Sequence, residues 1–208
     1  MHLSEPPIIY LDTNVFIGYM KQEEDKISDV KKLVNRTEEK KIILITSPFT
    51  LTEAWQCNGV ECHKYYNGNK IFFKHEFRRI YIMDIEIGVL TQKLQNERKV
   101  KGYKLSYKDS IHVATALVAK ADVLLTYDGT SEDNKKKDPL LELDDTFKYP
   151  LIDGRKLRIK TPSDFLLYLD EQEHSKTIER AQKKINETEQ AMLFDENENE
   201  NPKSETSQ

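Results

Sequence analysis

Three short apolar segments that alternate with helix-like segments constrain the fold of this chain most. The runs Ile8–Leu11, 41–46 and 122–128 are rich in β-branched residues and leucine and predict buried strands. A fourth run, 156–162, predicts a last short strand. Because the strands alternate with helices, we expect an α/β fold of three layers, with a central, mostly parallel sheet flanked by helices.

The helices between these strands are predicted from apolar spacing and from capping residues. Ser47 and Pro48 mark one helix start, since Ser is a preferred N-cap and Pro is favoured at the first helical position. The segment 60–83 is expected to be helical only in part. The other predicted helices cover 15–20, 25–40, 84–99, 105–120 and 163–169.

Four acidic residues are expected at one edge of this sheet. Asp12 directly follows the first strand, and Asp128 is predicted at the end of the third, while Glu53 and Asp109 open helices at the same edge. Ligands bind at the carboxyl ends of the strands in such folds. Each acid alone also has a structural explanation as a helix cap, a turn residue or the third residue of a capping box.

Taken together, the four acids predict a cation site. Two like charges about 4 Å apart repel by about 4 kcal/mol at an effective dielectric of roughly 20, so protonation or cations must relieve such a cluster. Carboxylate oxygens that leave room for water suit Mg²⁺ or Mn²⁺. Such ions activate water and stabilise an in-line phosphoryl displacement, which indicates metal-dependent hydrolysis of a phosphodiester.

Composition and charge are compatible with a polyanionic substrate. The net charge of the 208-residue chain is −4, but residues 170–208 carry eleven acids and five bases, which leaves +2 on the remaining 169 residues. No apolar run is long enough for a membrane span and no signal peptide is visible. With only two cysteines, a cytoplasmic protein without a disulfide framework is expected.

Four stretches resemble, in order, the acidic motifs of PIN domains, most closely those of VapC-type toxins: YLDTNVFI, TLTE, SYKDSIHVATAL and LLTYD. The resemblance extends over about residues 8–169 and implies a metal-dependent endoribonuclease that uses one or two Mg²⁺ or Mn²⁺ ions. It implies a catalytic and metal-binding quartet that consists of Asp12, Glu53, Asp109 and Asp128. It also implies that the amide of Asn14 supports Asp12 by a hydrogen bond, and it places a hydroxyl, that of Thr126, two residues before Asp128.

The resemblance also implies partners and a domain organisation. RNA is the implied substrate, a small antitoxin protein can block the site in the toxin branch, and a homodimer is usual. The chain differs from compact toxins in a longer segment after Asp128 and in an extension beyond residue 170. We therefore expect a nuclease domain over 1–169, a helical extension over 170–194 and a disordered acidic tail over 195–208.

The basic and aromatic segment 63–83 is a candidate for holding the substrate, because aromatic rings stack on single-stranded bases and cations contact phosphates. The alternative is a core-facing helical stripe, since Phe73, Phe77 and Tyr81 recur at four-residue spacing. The candidate substrate-binding cations are Lys64, Lys70, Lys74, Arg78 and Arg79.

Two further groups carry weaker signals. His112 lies one helical turn after Asp109 and could orient a metal ligand, although an ordinary half-buried helix residue is the favoured interpretation. Cys57, Cys62 and His63 offer three zinc ligands where structural zinc sites usually need four, so a zinc site is not expected.

Three other functions compete with the nuclease hypothesis. An aspartyl phosphatase would need a second Asp at the position of Asn14. A non-catalytic PIN-like binding or regulatory module is disfavoured by the complete set of four acids. A DNA-directed nuclease of the same fold is separated from a ribonuclease by comparing RNA and DNA substrates.

Overall fold

The computed structural model describes residues 5–21, 23–56, 70–75, 78–101, 105–129, 140–143 and 157–199. The strands are β1 (Ile8–Leu11), β2 (Ile43–Thr46), β3 (Arg78–Ile80), β4 (Val123–Leu125) and β5 (Arg158–Lys160). The α-helices are α1 (Thr13–Lys21), α2 (Glu24–Glu38), α3 (Pro48–Gln56), α4 (Ile85–Lys101), α5 (Tyr107–Val118) and α6 (Pro162–Asn199), and a 3₁₀ helix covers Leu140–Leu143.

The five strands form one sheet in the order β3-β2-β1-β4-β5, and every neighbouring pair is parallel. This confirms the predicted α/β fold. The strand order reverses between β1 and β4, so right-handed connections place α1 to α3 on one face and α4 and α5 on the other. In open parallel sheets, the crevice outside the carboxyl ends at such a reversal is the usual ligand site.

The side chains of β1 contribute to the core on both faces of the sheet. Tyr10 packs in a buried cluster with Leu90 and Leu94 of α4 and Val113 of α5. Because successive side chains of a strand point to opposite faces, the buried Ile9 and Leu11 face the side of α1 to α3. Burial of each large apolar side chain is worth about 1.5–3 kcal/mol, so both layers hold the strand that leads to Asp12.

The outermost strand, β3, is the main difference from the predicted elements. The spacing of Phe73, Phe77 and Tyr81 indicated a helical stripe, but Tyr81 follows a strand, Phe73 lies in a turn, and Phe77 is outside the described residues. The strand has only three residues, two of them arginines. It forms by pairing with β2 rather than from an apolar pattern of its own, which is why the sequence did not indicate it.

The chain divides into two compact units, Met1–Leu166 and Leu167–Gln208. Helix α6 is continuous from Pro162 to Asn199, so the short helix expected over 163–169 does not end there, and residues 195–199 are helical rather than disordered. No Gly or Pro interrupts this segment after Pro162, and Glu, Gln, Lys and Ala favour helix. Residues 200–208 lie outside the described part of the chain.

Within the second unit, every side chain described over 170–188 is exposed to solvent. None of the helices among the described residues combines the length and the hydrophobicity needed to cross a membrane.

Candidate active site

Asp12 lies directly after β1, where the strand order reverses. Its N–H donates to the carbonyl oxygen of Leu125 at the end of β4 (3.0 Å), and its own carbonyl accepts the N–H of Phe16 in α1 (3.2 Å). Its carboxylate is 6% exposed and accepts the N–H of Thr13 at Oδ1 (2.6 Å) and the hydroxyl of Thr126 at Oδ2 (2.7 Å). The side chain therefore bonds across the sheet to the β4 side, which a simple helix cap does not do.

The hydroxyl of Thr126 connects three residues at the carboxyl ends of β1 and β4. It donates to Asp12 Oδ2 and accepts from Asn14 Nδ2 (3.1 Å) and from the N–H of Asp128 (2.9 Å), which uses its one proton and both lone pairs. Asn14 Oδ1 also accepts the N–H of Tyr127 (3.0 Å). Asn14 was expected to bond Asp12 directly. It supports Asp12 through Thr126 instead, because its side chain reaches across to the segment after β4.

Glu53 lies inside α3, three residues before its end. The helix begins at Pro48, and Ser47 Oγ accepts the N–H of Thr50 (3.2 Å), so Ser47 is the cap as predicted and Glu53 is not part of a capping box. Glu53 Oε2 accepts the hydroxyl of Thr13 (2.6 Å). Thr13 thus bonds Asp12 with its N–H and Glu53 with its side chain, which ties the two acids together.

His112 of α5 joins the same two acids from the other face. Its Nε2 lies 2.8 Å from Glu53 Oε2 and 3.3 Å from Asp12 Oδ1, and its Nδ1 lies 2.9 Å from the hydroxyl of Tyr10. The residue is 1% exposed, so the interpretation of His112 as an ordinary half-buried helix residue is wrong. Two signals could have indicated this: Tyr10 needs a partner for its hydroxyl inside a buried strand, and His112 shares a helix face with Asp109.

Asp109 lies in the first turn of α5 and is 8% exposed. Its N–H donates to Ser106 Oγ (3.1 Å), which is the N-cap of this helix. The charge of Asp109 lies close enough to Asp12 to raise the pKa of that carboxyl. Asp12 and Glu53 therefore meet at His112, and Asp109 lies near Asp12 in the first turn of α5.

Burial and neighbouring charges shift the pKa values of this cluster in opposite directions. Burial raises the pKa of Asp12, and Asp109 adds to the rise, while His112 and the hydrogen bonds from Thr126 and Thr13 oppose it. Burial also raises the pKa of Glu53, but hydrogen bonds from His112, Thr13 and Lys108 outweigh burial and lower this pKa to about 2.

The pKa of His112 is set by the same balance. Burial lowers it, but the Tyr10 oxygen, the Asp12 carboxylate and the hydrogen bonds to Glu53 and Tyr10 raise it to about 10. A protonated ring donates from both nitrogens, so Nδ1–H donates to the Tyr10 oxygen and Nε2–H to Glu53. The Tyr10 hydroxyl then donates to Ser47 Oγ (3.0 Å). Each hydrogen bond from Glu53 through His112 and Tyr10 to Ser47 thus has one donor and one acceptor.

Asp128 has different surroundings from the other three acids. The strand β4 ends at Leu125, so Asp128 lies in the following turn rather than at the strand end. Its N–H bonds Thr126, but its carboxylate Oδ2 accepts the N–H of Leu140 (3.0 Å) and its carbonyl accepts that of Leu141 (3.3 Å). The structure thus places the backbone of Asp128 beside the Asp12 network and bonds its carboxylate to the start of the 3₁₀ helix.

The four predicted substrate-binding cations that the structure describes are not gathered around these acids. Arg78 lies over the ring of Phe72 (5.3 Å) and 3.9 Å from Glu38, and Arg79 lines a cleft of about 440 Å³ beside β3. Lys70 and Lys74 are exposed next to a short turn. Lys64, Cys57, Cys62 and His63 lie outside the described residues.

Among the described residues, Lys108 contacts one of the acids, Glu53, and was not predicted from the sequence. Its Nζ lies 3.0 Å from Glu53 Oε1, and its side chain is 62% exposed. Lys108 directly precedes Asp109, so the strongest sequence motif contained it, but nothing in the sequence alone indicated its ion pair with α3.

Across the described residues, no three His, Cys, Asp or Glu side chains are already arranged to hold a metal ion. The donors nevertheless have the hard oxygen chemistry that Mg²⁺ and Mn²⁺ prefer. The four carboxylates carry four negative charges, and Lys108 and the protonated His112 carry two positive charges. The formal charge of these six side chains is therefore −2. A divalent cation would neutralise it once Glu53 Oε1 is released from Lys108.

Residues 9–136 match the family model of the PIN domain. No curated protein is significantly similar to the chain in sequence. Among solved structures, the chain is similar to VapC20 of Mycobacterium tuberculosis, described as a sarcin-ricin loop cleaving toxin, with 13% identity and a TM-score of 0.46 over 58% of this chain and 90% of that one.

Two DNA-bound complexes are similar to a comparable degree. For VapBC2 from Rickettsia felis, bound to a promoter fragment, identity is 15% and the TM-score 0.49 over 73% of this chain and 98% of that one. For VapBC from Salmonella typhimurium, identity is 16% and the TM-score 0.49 over 74% and 98%.

Proposed function

Because this chain belongs to the PIN domain family, we propose that it is a metal-dependent endonuclease that hydrolyses the phosphodiester bonds of RNA. The observation that carries the proposal is the convergence of three acids from separate elements. Asp12 and Glu53 meet at His112, and Asp109 lies near enough to raise the pKa of Asp12. Acids placed together against their mutual repulsion are typical of a site that binds a cation.

One or two Mg²⁺ or Mn²⁺ ions are the proposed cofactor. Asp12, Glu53 and Asp109 would hold them, and Asp128 would contribute from the turn after β4. When bound, such an ion lowers the pKa of water and stabilises negative charge on the scissile phosphate and its leaving oxygen.

The remaining residues of the site hold these acids and the substrate in place. Thr126, which Asn14 holds from α1, fixes Asp12 from the β4 side, and Thr13 fixes Glu53 from α1. The ammonium group of Lys108 is an exposed positive charge next to Glu53, and we propose that it contacts a phosphate of the RNA.

Cleavage of labelled RNA by the purified protein tests this proposal. We expect cleavage with Mg²⁺ or Mn²⁺ that stops in EDTA, and a fall of at least about 100-fold for Asp109→Asn, because the amide is a neutral and weaker metal ligand. Asp122→Asn is a matched control, since Asp122 lies at the opposite end of β4, where its carboxylate accepts the N–H of Ile8. Equal metal-stimulated cleavage by Asp109→Asn and the wild type would remove the proposed site.

The choice between RNA and DNA is tested in the same assay. Single-stranded RNA, single-stranded DNA and flap DNA are compared at equal concentrations, and the proposal expects the RNA to be cleaved fastest. Preferential cleavage of either DNA would identify a DNA-directed nuclease of the same fold. Binding of RNA without cleavage under any metal would instead indicate a non-catalytic binding module.

We propose two protein partners on separate grounds. The resemblance to VapC-type toxins supports a small antitoxin protein, tested by whether expression of the chain alone arrests growth of a bacterial host and co-expression of the adjacent reading frame restores it. A second copy of the chain is supported by an apolar strip after β3 that is exposed in the monomer. The strip consists of Ile80, Ile82, Met83, Ile85 and Val89.

Exposed apolar patches of this kind mark interaction surfaces. Arg79 stands at one end of the strip and Asp84 and Glu86 lie within it, so the strip carries charges of both signs, which suits pairing with the same surface of a second copy. Sedimentation of the wild type and of Ile82→Glu with Ile85→Glu tests this. We expect a dimer for the wild type and a folded monomer for the variant, and a wild-type monomer at high concentration would contradict the dimer.

A further inference from the structure

We propose that His112 is a positioning residue for the acidic site and that Tyr10 in turn holds His112 in place. The inference rests on the proposed nuclease function and adds to it two residues outside the acidic quartet. Its basis is a continuous line of contacts through the core, from Ser47 through Tyr10 and His112 to Glu53 and Asp12.

The imidazole ring is held at both nitrogens and contacted by two aromatic rings. Its Nδ1 bonds the hydroxyl of Tyr10, a residue of β1 that is itself fully buried. The ring of Phe49 lies 5.3 Å away at a 56° tilt, and the ring of Tyr10 lies 5.9 Å away. A ring held in this way presents Nε2 in one direction only, toward the two acids.

The direction of Nε2 determines which oxygens of Glu53 stay accessible. His112 and the Thr13 hydroxyl both bond Oε2, which leaves Oε1 on the side of the exposed Lys108. Outer hydrogen-bond partners of this kind orient metal-binding carboxylates, and their removal typically costs about 10- to 100-fold in metal affinity or activity. We therefore assign to His112 the role of keeping Oε1 directed outward.

A histidine that only fills space in the core would have a different set of partners. Its two nitrogens could be satisfied by any nearby backbone carbonyl, without two carboxylates in a buried position. His112 instead contacts acids from two separate elements, the end of β1 and α3, and one nitrogen reaches both. This arrangement ties the relative position of Asp12 and Glu53 to a single side chain.

The experiment measures Mn²⁺ affinity directly, from the paramagnetic resonance signal of free Mn²⁺, together with kcat and KM for RNA. Three variants remove the contacts of His112 to different extents. His112→Leu removes the contacts of both ring nitrogens, and His112→Gln retains a donor toward Glu53. Tyr10→Phe removes only the hydroxyl that bonds His112 Nδ1. We expect Mn²⁺ affinity to fall about 10- to 100-fold in His112→Leu and to recover largely in His112→Gln. For Tyr10→Phe we expect about a threefold to tenfold loss, since one hydrogen bond is removed at a distance from the acids.

The expected kinetic signature is a lower kcat with KM for RNA nearly unchanged, because His112 does not face the substrate. Wild-type Mn²⁺ affinity in folded His112→Leu and Tyr10→Phe would overturn the positioning role, and if His112→Leu does not fold, the Mn²⁺ affinity of Tyr10→Phe decides. Asp109→Asn separates the two proposals. If it abolishes cleavage while the His112 variants bind Mn²⁺ normally, only the positioning role is wrong, and if it leaves cleavage intact, the nuclease site itself is wrong.

Discussion

The two ends of the acidic site, around Asp12 and around Asp128, are built in different ways. Asp12 is buried, and partners from α1, α5 and the β4 side contact its carboxylate. Asp128 lies in a turn, and its carboxylate bonds the backbone of Leu140, twelve residues later. The first position is fixed by packing of distant elements and the second by a local loop, so substitutions at the two ends should have very different effects.

Substitution of Asp12 should give the largest effect on activity. Asp12→Asn keeps an oxygen and a nitrogen where the carboxylate was but removes its charge. The rate of RNA cleavage should fall about 10³-fold, because several kcal/mol of transition-state stabilisation depend on a cation held there. Single-turnover cleavage at saturating Mg²⁺ measures this.

A folded state is the control for Asp12→Asn, measured by circular dichroism and by its thermal midpoint. The amide removes the cost of a buried charge but accepts at only one of the two positions that Thr13 and Thr126 bond, so we expect a moderate fall of the midpoint in a folded variant. A folded variant that cleaves within tenfold of the wild type would show that the Asp12 end is not the centre of the chemistry.

The second largest effect is a dependence of the free energy of unfolding on pH, and it arises from groups at the Asp12 end of the site. The pKa of Glu53 is lowered from 4.5 to about 2, so its stabilising contribution is complete above 4.5 and is lost as pH falls toward 2. The pKa of His112 is raised from 6.5 to about 10, so its contribution is complete below 6.5 and is lost as pH rises toward 10. These two groups together therefore stabilise the metal-free protein most between pH 4.5 and 6.5, and the raised pKa of Asp12 favours the acid side of that range.

Urea unfolding in EDTA at about pH 6 and about pH 9 checks this window. The free energy of unfolding should fall by roughly 3 kcal/mol between the two because the folded state keeps the His112 proton and the unfolded state releases it. His112→Gln carries no such proton and should lose much less. The same loss in both proteins would assign the alkaline transition to other groups.

The position of Asp12 directly after the first strand was predicted from the sequence for a physical reason. An apolar run that stops at an acid, on a chain that alternates strands and helices, places that acid at the ligand-binding edge of a parallel sheet. The central strands β1, β2 and β4 were found because each is a run of buried apolar residues. The other three acids were singled out in the same way and matched the PIN-domain motifs, and the metal-binding and catalytic roles of all four stay predictions.

The residues that the sequence did not reveal are those whose roles depend on contacts between distant segments. His112 and Tyr10 are about a hundred residues apart, and Lys108 and Glu53 are more than fifty residues apart. A local sequence pattern therefore cannot predict either contact. The strand β3 was missed for a similar reason, since it is defined by its partner β2. The long helix α6 was divided in the prediction because composition alone marks charged segments as solvated but does not locate a helix end.

Thr126 joins the two ends of the site, and its removal should have an intermediate effect. Thr126→Val keeps the shape of the side chain but leaves Asp12 Oδ2, Asn14 Nδ2 and the Asp128 N–H without this partner. We expect a loss of roughly 2–3 kcal/mol in the free energy of unfolding. Denaturant unfolding measures it in the metal-free protein.

Thr46→Val is the matched control for this substitution. Thr46 is equally buried and ends the neighbouring strand β2, but its hydroxyl makes one bond, to the carbonyl of Leu11 (2.9 Å). Its loss should cost about 1 kcal/mol. Equal losses in the two variants would mean that the three-way connection at Thr126 adds nothing beyond a single hydrogen bond.

The smallest effect is expected at Asp128. Asp128→Asn can keep the hydrogen bond from the N–H of Leu140 through its amide oxygen, and its backbone bond to Thr126 is unchanged. Because its carboxylate is engaged by the local turn, removal of its charge should slow RNA cleavage by only about tenfold, against about 10³-fold for Asp12→Asn. The two variants are compared at several Mg²⁺ concentrations. A loss at Asp128 as large as that at Asp12, not restored by high Mg²⁺, would mean that Asp128 leaves Leu140 and binds the ion directly when RNA is present, and the two ends of the site would then be equivalent in the active state.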